Sequence, residues 1–233
     1  MRRSFATIVP VNALDAEEEL LREYERRFTP SAAYRQRVWA VLTSEFFQRY
    51  VPRDAAVLDL GCGWGEFINN IQARLRWGID LNPSSRHHLA PGVTFFQQDC
   101  SRRWPLEDDT LDVVFTSNFF EHLAEKTALR RTLTEALRCL RRGGRLICLG
   151  PNIKYVPGAY WDFWDHYLPL TELALDEVLS LVGFRVDECR GRFLPYTMSR
   201  GFEPPTWLLS AYLKLPPLWK LLGKQFLVVA SKP

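Results

Sequence analysis

Three glycines at alternate positions, Gly61, Gly63 and Gly65, close an apolar run that reads Val57-Leu58-Asp59-Leu60. Glycines let the backbone turn sharply and let a ligand approach where a Cβ would stand. Three in this pattern exceed what a bare strand-to-helix turn requires. Glu66 stands where a dinucleotide fingerprint has its last glycine; its carboxylate repels a pyrophosphate and suits a ligand with cationic character. Fifteen residues beyond Gly65, Trp77-Gly78-Ile79-Asp80 ends in an acid placed to take both hydroxyls of a ribose. Leu81 then offers an apolar neighbour to an adenine face, and Asp99 with Cys100 offers an acceptor to an exocyclic amine. Taken singly, Asp80 and Asp99 equally suit a helix or turn cap. Three sites in this order at strand ends, where open α/β sheets bind ligands, favour a nucleoside cofactor.

Proton-moving groups lie further along. His122 follows Asn118-Phe119-Phe120-Glu121, and an imidazole is the side chain best suited to a general base near neutral pH. It equally fits a helix cap or a carbonyl contact. His166, in Tyr160-Trp161-Asp162-Phe163-Trp164-Asp165-His166-Tyr167, is a second candidate base. The six aromatics from Tyr155 to Tyr167 are too many for a solvated loop. They line an acceptor pocket or cover the N-terminal helices, with the pocket favoured. The five cysteines (Cys62, Cys100, Cys139, Cys148, Cys189) contain no C-x-x-C. Neither a zinc cluster nor a disulfide framework is expected, and a cytoplasmic setting is.

These groups need elements to position them. Residues 13–28 place Leu20, Leu21, Tyr24 and Phe28 on one helical face, and Ser31 can cap a second helix carrying Tyr34, Val38, Leu42 and Phe46. From Ala56 onward, β-rich runs alternate with helical patterns, which implies βαβ units and a parallel sheet. Strands are expected at Ala56–Leu60, Arg76–Asp80, Val93–Gln97, Leu111–Ser117 and Arg145–Leu149, and two more near Phe184–Cys189 and Gln225–Ser231. Helices fit Glu66–Arg74, Glu125–Leu140 and Thr171–Val182, with Gly143-Gly144 ending the middle one.

In chain order, D-L-G-C-G-W-G, G-I-D-L-N-P, the Asp99 turn, D-V-V-F-T-S-N-F-F-E-H-L and L-R-R-G-G-R-L-I span residues 59–147. Together they resemble the class I S-adenosylmethionine-dependent methyltransferases, particularly the type 11 small-molecule branch. The resemblance implies a seven-stranded Rossmann-like α/β sandwich whose last strand is antiparallel, with residues 1–50 as a helical cap and 51–233 as the cofactor-binding domain. It implies that Asp59, Gly61, Cys62 and Gly63 border the methionine portion, that Asp80 and Leu81 hold the ribose and adenine, and that Asp99 and Cys100 face the adenine. Asn118 then offers its backbone carbonyl to the methionine amino group, and Tyr34 or Arg37 meets the methionine carboxylate or else faces solvent. The run to His122, with His166 later, also resembles the E-x-x-E-H signature of metal-assisted methyltransferases. Asn118 replaces its first Glu, which weakens a hard-cation site, and no metal is expected.

Methyl transfer from a sulfonium needs alignment above all, worth about 7–11 kcal/mol. A base matters most for a hydroxyl acceptor. Residues 151–184 and Arg192-Phe193-Leu194-Pro195-Tyr196 resemble bacterial methyltransferases encoded among glycan and glycolipid assembly functions, which favours O-methylation of a small molecule or glycan. The competing readings are a NAD-dependent oxidoreductase, disfavoured by Glu66 and the short Gly65–Asp80 spacing, and a non-catalytic cofactor-binding scaffold.

The chain has 233 residues, 47% of them apolar and 24% charged. That suits one globular domain and excludes disorder for most of it. No apolar stretch reaches the roughly 18 residues of a membrane span, and the basic start Met1-Arg2-Arg3 leads an apolar run too short for a secretory signal. Residues 200–233 hold five basic groups (Arg200, Lys214, Lys220, Lys224, Lys232) against Glu203, while the remainder is nearly neutral. No broad basic face suggests nucleic acid. The insertion at 191–224 carries Trp207, Leu208, Tyr212, Leu215, Leu218, Trp219 and Leu222 among its lysines. Peripheral contact with the inner face of the membrane is one expectation for it; a lid over the substrate or a homodimer contact is the other.

Overall fold

The computed structural model describes residues 18, 21, 22, 24–26, 29–196 and 203–233. Seven strands form one sheet: β1 (Ala56–Leu60), β2 (Leu75–Asp80), β3 (Val93–Gln97), β4 (Leu111–Ser117), β5 (Leu140–Pro151), β6 (Arg185–Arg190) and β7 (Gln225–Ser231). Their order is β3-β2-β1-β4-β5-β7-β6. The first five strands pair in parallel, and β7 runs antiparallel between β5 and β6. All five residues of β1 and all seven of β7 are buried, which is why these strands read as unbroken apolar runs.

Side chains alternate across the sheet. Leu58, Leu60, Val114, Leu146, Cys148 and Val228 join a core under helices α2 (Lys126–Cys139) and α3 (Glu172–Val182). Val57, Val113, Phe115, Ile147, Leu149, Leu227 and Val229 join the opposite core. That second core is covered by α1 (Ala32–Glu45) together with α4 (Thr206–Leu213) and α5 (Pro216–Leu222) from the 191–224 insertion.

Several local expectations are corrected. No regular helix spans Glu66–Arg74; the backbone makes turns, with Asn69 N donating to Gly65 O and Ile71 N to Phe67 O. The asparagines account for this: Asn69 Nδ2 donates to His88 O and Asn70 Nδ2 to Glu66 O, and such side chains compete with helix hydrogen bonding. Gly143-Gly144 lies inside β5 rather than ending α2, which stops at Cys139. A Cβ on Gly144 would come within 2.8 Å of Arg141 O and 3.1 Å of Leu111 O, beside the register shift between Leu111 and Val113. Ser31 precedes α1, but its side chain makes no cap hydrogen bond. Of the helix expected over 13–28, the described residues are helical; Leu20 and Phe28 lie outside them, as does Arg200.

The insertion is a packed element. Phe193, Tyr212 and Trp219 are buried, with Phe193 4.4 Å from the Phe46 ring and Trp219 5.7 Å from it. Trp219 Nε1 donates to Tyr212 O, and the Tyr212 hydroxyl to Phe193 O. Its outer side leaves Trp207, Leu208, Leu215, Leu221 and Leu222 exposed.

Candidate active site

The C-terminal ends of β1, β2 and β4 converge on the glycine loop. Gly61 has φ +67°, and its N–H donates to Ile79 O at 2.9 Å. A Cβ there would fall 2.5 Å from the Phe119 ring, so the turn is packed against the start of the loop after β4. Gly63, at φ +51°, donates its N–H to Asp80 Oδ2 at 2.8 Å, and Asn82 N–H donates to Asp80 Oδ1 at 2.8 Å. Burial raises the Asp80 carboxyl above its usual range, opposed by those two backbone donors and by the Tyr24 hydroxyl. Tyr24 donates to Asp80 Oδ1 at 3.3 Å. A neutral O–H on this carboxylate is what a ribose hydroxyl would supply, and in this structure Tyr24 supplies it.

The other expected cofactor residues divide. Asp59 is buried, and burial followed by the Glu66 charge pushes its carboxyl well up. Cys62 and Cys100 are buried thiols raised well above their ordinary value by burial and then by Asp80. Leu81 is exposed at the rim. Asp99 accepts from Ser101 N at 2.8 Å and lies 3.8 Å from Arg102, so it caps its own turn. Asn118 sits at φ +49°, an uncommon conformation for a residue with a side chain. Its N–H donates to Leu149 O, its Nδ2 to Ser117 Oγ, and its buried Oδ1 has no partner among the described residues.

Two assignments near the loop change. Glu66 does not await a cationic ligand, because Arg35 on α1 pairs with it at 2.5 Å and both are largely buried. Tyr34 and Arg37 turn instead toward the insertion: the Tyr34 hydroxyl donates to Pro204 O at 3.0 Å, and the exposed Arg37 lies 3.7 Å from Glu203. A helix separates neighbours by about 100°, so residues one to two positions from Arg35 face elsewhere.

Beyond β4, a 3-10 turn at Phe120–His122 meets the loop after β5. Tyr167 N and Leu168 N both donate to Glu121 O, at 2.8 and 3.1 Å, locking the two segments together. His122 Nδ1 lies 2.8 Å from Asp165 Oδ2 and 3.1 Å from Asp165 O. The His122 and His166 rings meet edge-on at 5.0 Å, and Phe163 stacks on His166 at 4.8 Å. Glu121, His122 and His166 each offer a ligand atom within 4.8 Å of the others. Phe119, at the start of the same loop, packs on the Gly61 turn, so this cluster borders the cofactor cleft.

Both candidate bases are thus brought together. Sequence spacing does not show that Asp165, Tyr24 and Arg35 complete the site; Tyr24 reads only as part of an apolar helix face. The aromatic loop splits in two. Tyr160 is fully buried and donates to Leu168 O at 2.6 Å, whereas Trp161, Trp164 and Tyr167 stand exposed near the histidines.

A protein-family profile described as "Methyltransferase domain" matches residues 58–148. A Mycobacterium tuberculosis protein named "Probable S-adenosylmethionine-dependent methyltransferase" is 33% identical over 144 residues, covering 58% of this chain and 50% of that protein. The chain therefore spans about half the length of such a relative. Among solved structures, a SAM-dependent methyltransferase from Archaeoglobus fulgidus superposes with a TM-score of 0.65 at 21% identity, over 91% of this chain and 99% of its own. One from Thermotoga maritima gives 0.63 at 18% identity, over 93% and 97%.

Proposed function

We propose that this chain, whose residues 58–148 match a methyltransferase-domain profile, moves a methyl group from S-adenosylmethionine to the hydroxyl of a small-molecule or glycan acceptor. The observation that carries the hydroxyl acceptor is the His122–Asp165 pair beside the cofactor cleft. When bound, the cofactor supplies a methyl carbon activated by a positive sulfur.

The protein's own residues do the rest. Asp80, held by Gly63 and Asn82, takes the ribose hydroxyls, and the Gly61 turn keeps Phe119 against the cleft floor. Asp165 accepts the Nδ1 proton of His122, the tautomer in which Nε2 is the basic nitrogen. With the cofactor bound, the acceptor oxygen would take its methyl carbon while the sulfur kept the bonding electron pair, leaving the hydroxyl proton to be removed. The hydroxyl proton leaves with the assistance of His122, with His166 beside it. Trp161, Trp164 and Tyr167 offer flat apolar faces that suit a sugar ring. The exposed apolar side of α4 and α5, with Lys214, Lys220 and Lys224, suits an acceptor carried on an anionic lipid surface.

Calorimetric titration with S-adenosylhomocysteine tests the cofactor half. Micromolar binding is expected, and Asp80→Ala should abolish it; heat with NAD and none with the homocysteine product would overturn the reading. Acceptor screening tests the other half. His122→Ala should lower turnover at least about tenfold with S-adenosylhomocysteine affinity nearly unchanged, and a full-rate variant removes His122 from the chemistry.

A further inference from the structure

Resting on the reading that Asp80 takes the cofactor's ribose, we propose that Tyr24 is a built-in competitor for that ribose: its phenol occupies the carboxylate positions that the sugar hydroxyls need, and cofactor loading displaces it. An ionised carboxylate accepts about four hydrogen bonds, two at each oxygen. Gly63 N–H takes one position on Asp80 Oδ2 and Asn82 N–H takes one on Oδ1, both at 2.8 Å. One position on each oxygen is left for the neighbouring hydroxyls of a ribose. The Tyr24 hydroxyl stands across both, 3.3 Å from Oδ1 and 3.5 Å from Oδ2.

The geometry separates two fixed donors from an exchangeable one. The backbone bonds belong to the glycine loop and to the turn after β2, and they are available whichever partner fills the remaining positions. The Tyr24 contacts are longer than the roughly 2.7–2.8 Å usual between a hydroxyl and its acceptor oxygen, so the phenol is shared between two acceptors and well placed with neither. Ribose brings two hydroxyls where Tyr24 brings one. Asp80 is 3% exposed, and a buried carboxylate short of partners carries a desolvation cost; the phenol offsets part of it when no ribose is bound. Burial first, and then the Asp80 charge, raise the Tyr24 phenol well above its ordinary value. It therefore stays a neutral donor beside the carboxylate.

The helical turn that carries Tyr24 presents it inward. Leu21 and Tyr24, three positions apart and so on one face, are half-buried, whereas Arg22, Glu25 and Arg26 are exposed. The affinity read for a site of this kind is its intrinsic affinity reduced to the fraction of chains in which the phenol has left Asp80. S-adenosylmethionine and S-adenosylhomocysteine carry the same ribose, so Tyr24 opposes both. Its return to Asp80 favours departure of the spent product, the step that limits turnover in many enzymes.

The test is calorimetric titration of the full chain with S-adenosylhomocysteine. Tyr24→Phe keeps the ring and removes the hydroxyl, and it should bind about three- to tenfold more tightly than wild type. Limited trypsin digestion, followed at the bonds after Arg22 and Arg26, gives a second readout. Saturating S-adenosylhomocysteine should quicken both cleavages in the wild type, because the turn leaves the cleft with its tyrosine, and Tyr24→Phe should be cut faster even without ligand. Equal binding by wild type and Tyr24→Phe overturns the proposal. Weaker binding by the variant also overturns it, making Tyr24 a contact for the cofactor and not its rival, as does protection of Arg22 and Arg26 by the ligand. Heat from Tyr24→Phe alone supports it in its strongest form. Heat from neither protein strikes the cofactor reading itself, and the proposal falls with it.

Discussion

Gly61 shows how tightly single residues are constrained in this site. At φ +67° and with the Phe119 ring 2.5 Å from where a Cβ would sit, it cannot take a side chain without strain. Gly61→Ala should lower unfolding stability by about 1–3 kcal/mol from the backbone conformation alone, and Phe119 must shift besides. Thermal denaturation with a parallel S-adenosylhomocysteine titration would read both effects; an unchanged Tm would mean the loop relaxes freely. Gly61, Gly63 and Asp80 are legible in the sequence because a turn and a strand end need particular residue types at fixed short spacings. Asp165 and Tyr24 are not, since each acquires its role from a partner 43 or 56 residues away. Arg35 is the instructive miss. Tyr34 and Arg37 offer equally suitable chemistry for a carboxylate, and only the rotation of α1 decides that Arg35 meets Glu66.

At the scale of elements, strands were more readable than helices. A strand buried on both faces writes itself as an apolar run, as β1 and β7 do, and β3 and β4 likewise begin and end where the sequence places them. The segment after Gly65 has helical spacing, but Asn69 and Asn70 spend their side chains on carbonyls and the helix does not form. Elements are also joined by buried polar groups that periodicity cannot reveal. Asn152, after β5, donates from Nδ2 to Glu172 at the start of α3 (2.6 Å) and to Gly191 O (2.9 Å), and Lys154 reaches the same carboxylate at 2.7 Å. Burial by itself would raise the Glu172 carboxyl, but the bonds from Lys154 and Asn152 prevail and hold it below its ordinary value. Its contribution to stability is therefore complete above the unfolded value of about 4.3 and is lost as pH falls through the lower native value. Urea unfolding should show Glu172→Gln less stable than wild type near pH 6, with the gap closing toward about pH 3. A pH-independent gap would mean that the ionised carboxylate is not what holds α3 to β5.

For the whole molecule, the 191–224 insertion is both part of the core and part of the surface. One side completes the packing under α1 through Phe193, Tyr212 and Trp219, while the other presents Trp207, Leu208, Leu215, Leu221 and Leu222 beside Lys214 and Lys220. If that outer side meets a lipid surface, the chain should co-sediment with anionic vesicles at low salt and be released as salt rises. The double variant Trp207→Ser/Leu221→Ser should stay in the supernatant with its S-adenosylhomocysteine affinity intact. Equal recovery from neutral and anionic vesicles would argue against electrostatic docking. The sheet order carries a consequence of a different kind. Among the described residues β6 pairs with β7 alone, and β7 in turn lies between it and β5. During synthesis β6 leaves the ribosome before the strand that will hold it, with the whole insertion to be made in between. Until β7 arrives, β5 has an open edge and β6 has no neighbour, and unpaired edges of this sort recruit strands from other chains. β7 is thus the keystone of that side of the sheet, and the interval before it is laid is when the nascent chain most needs protection from its own kind.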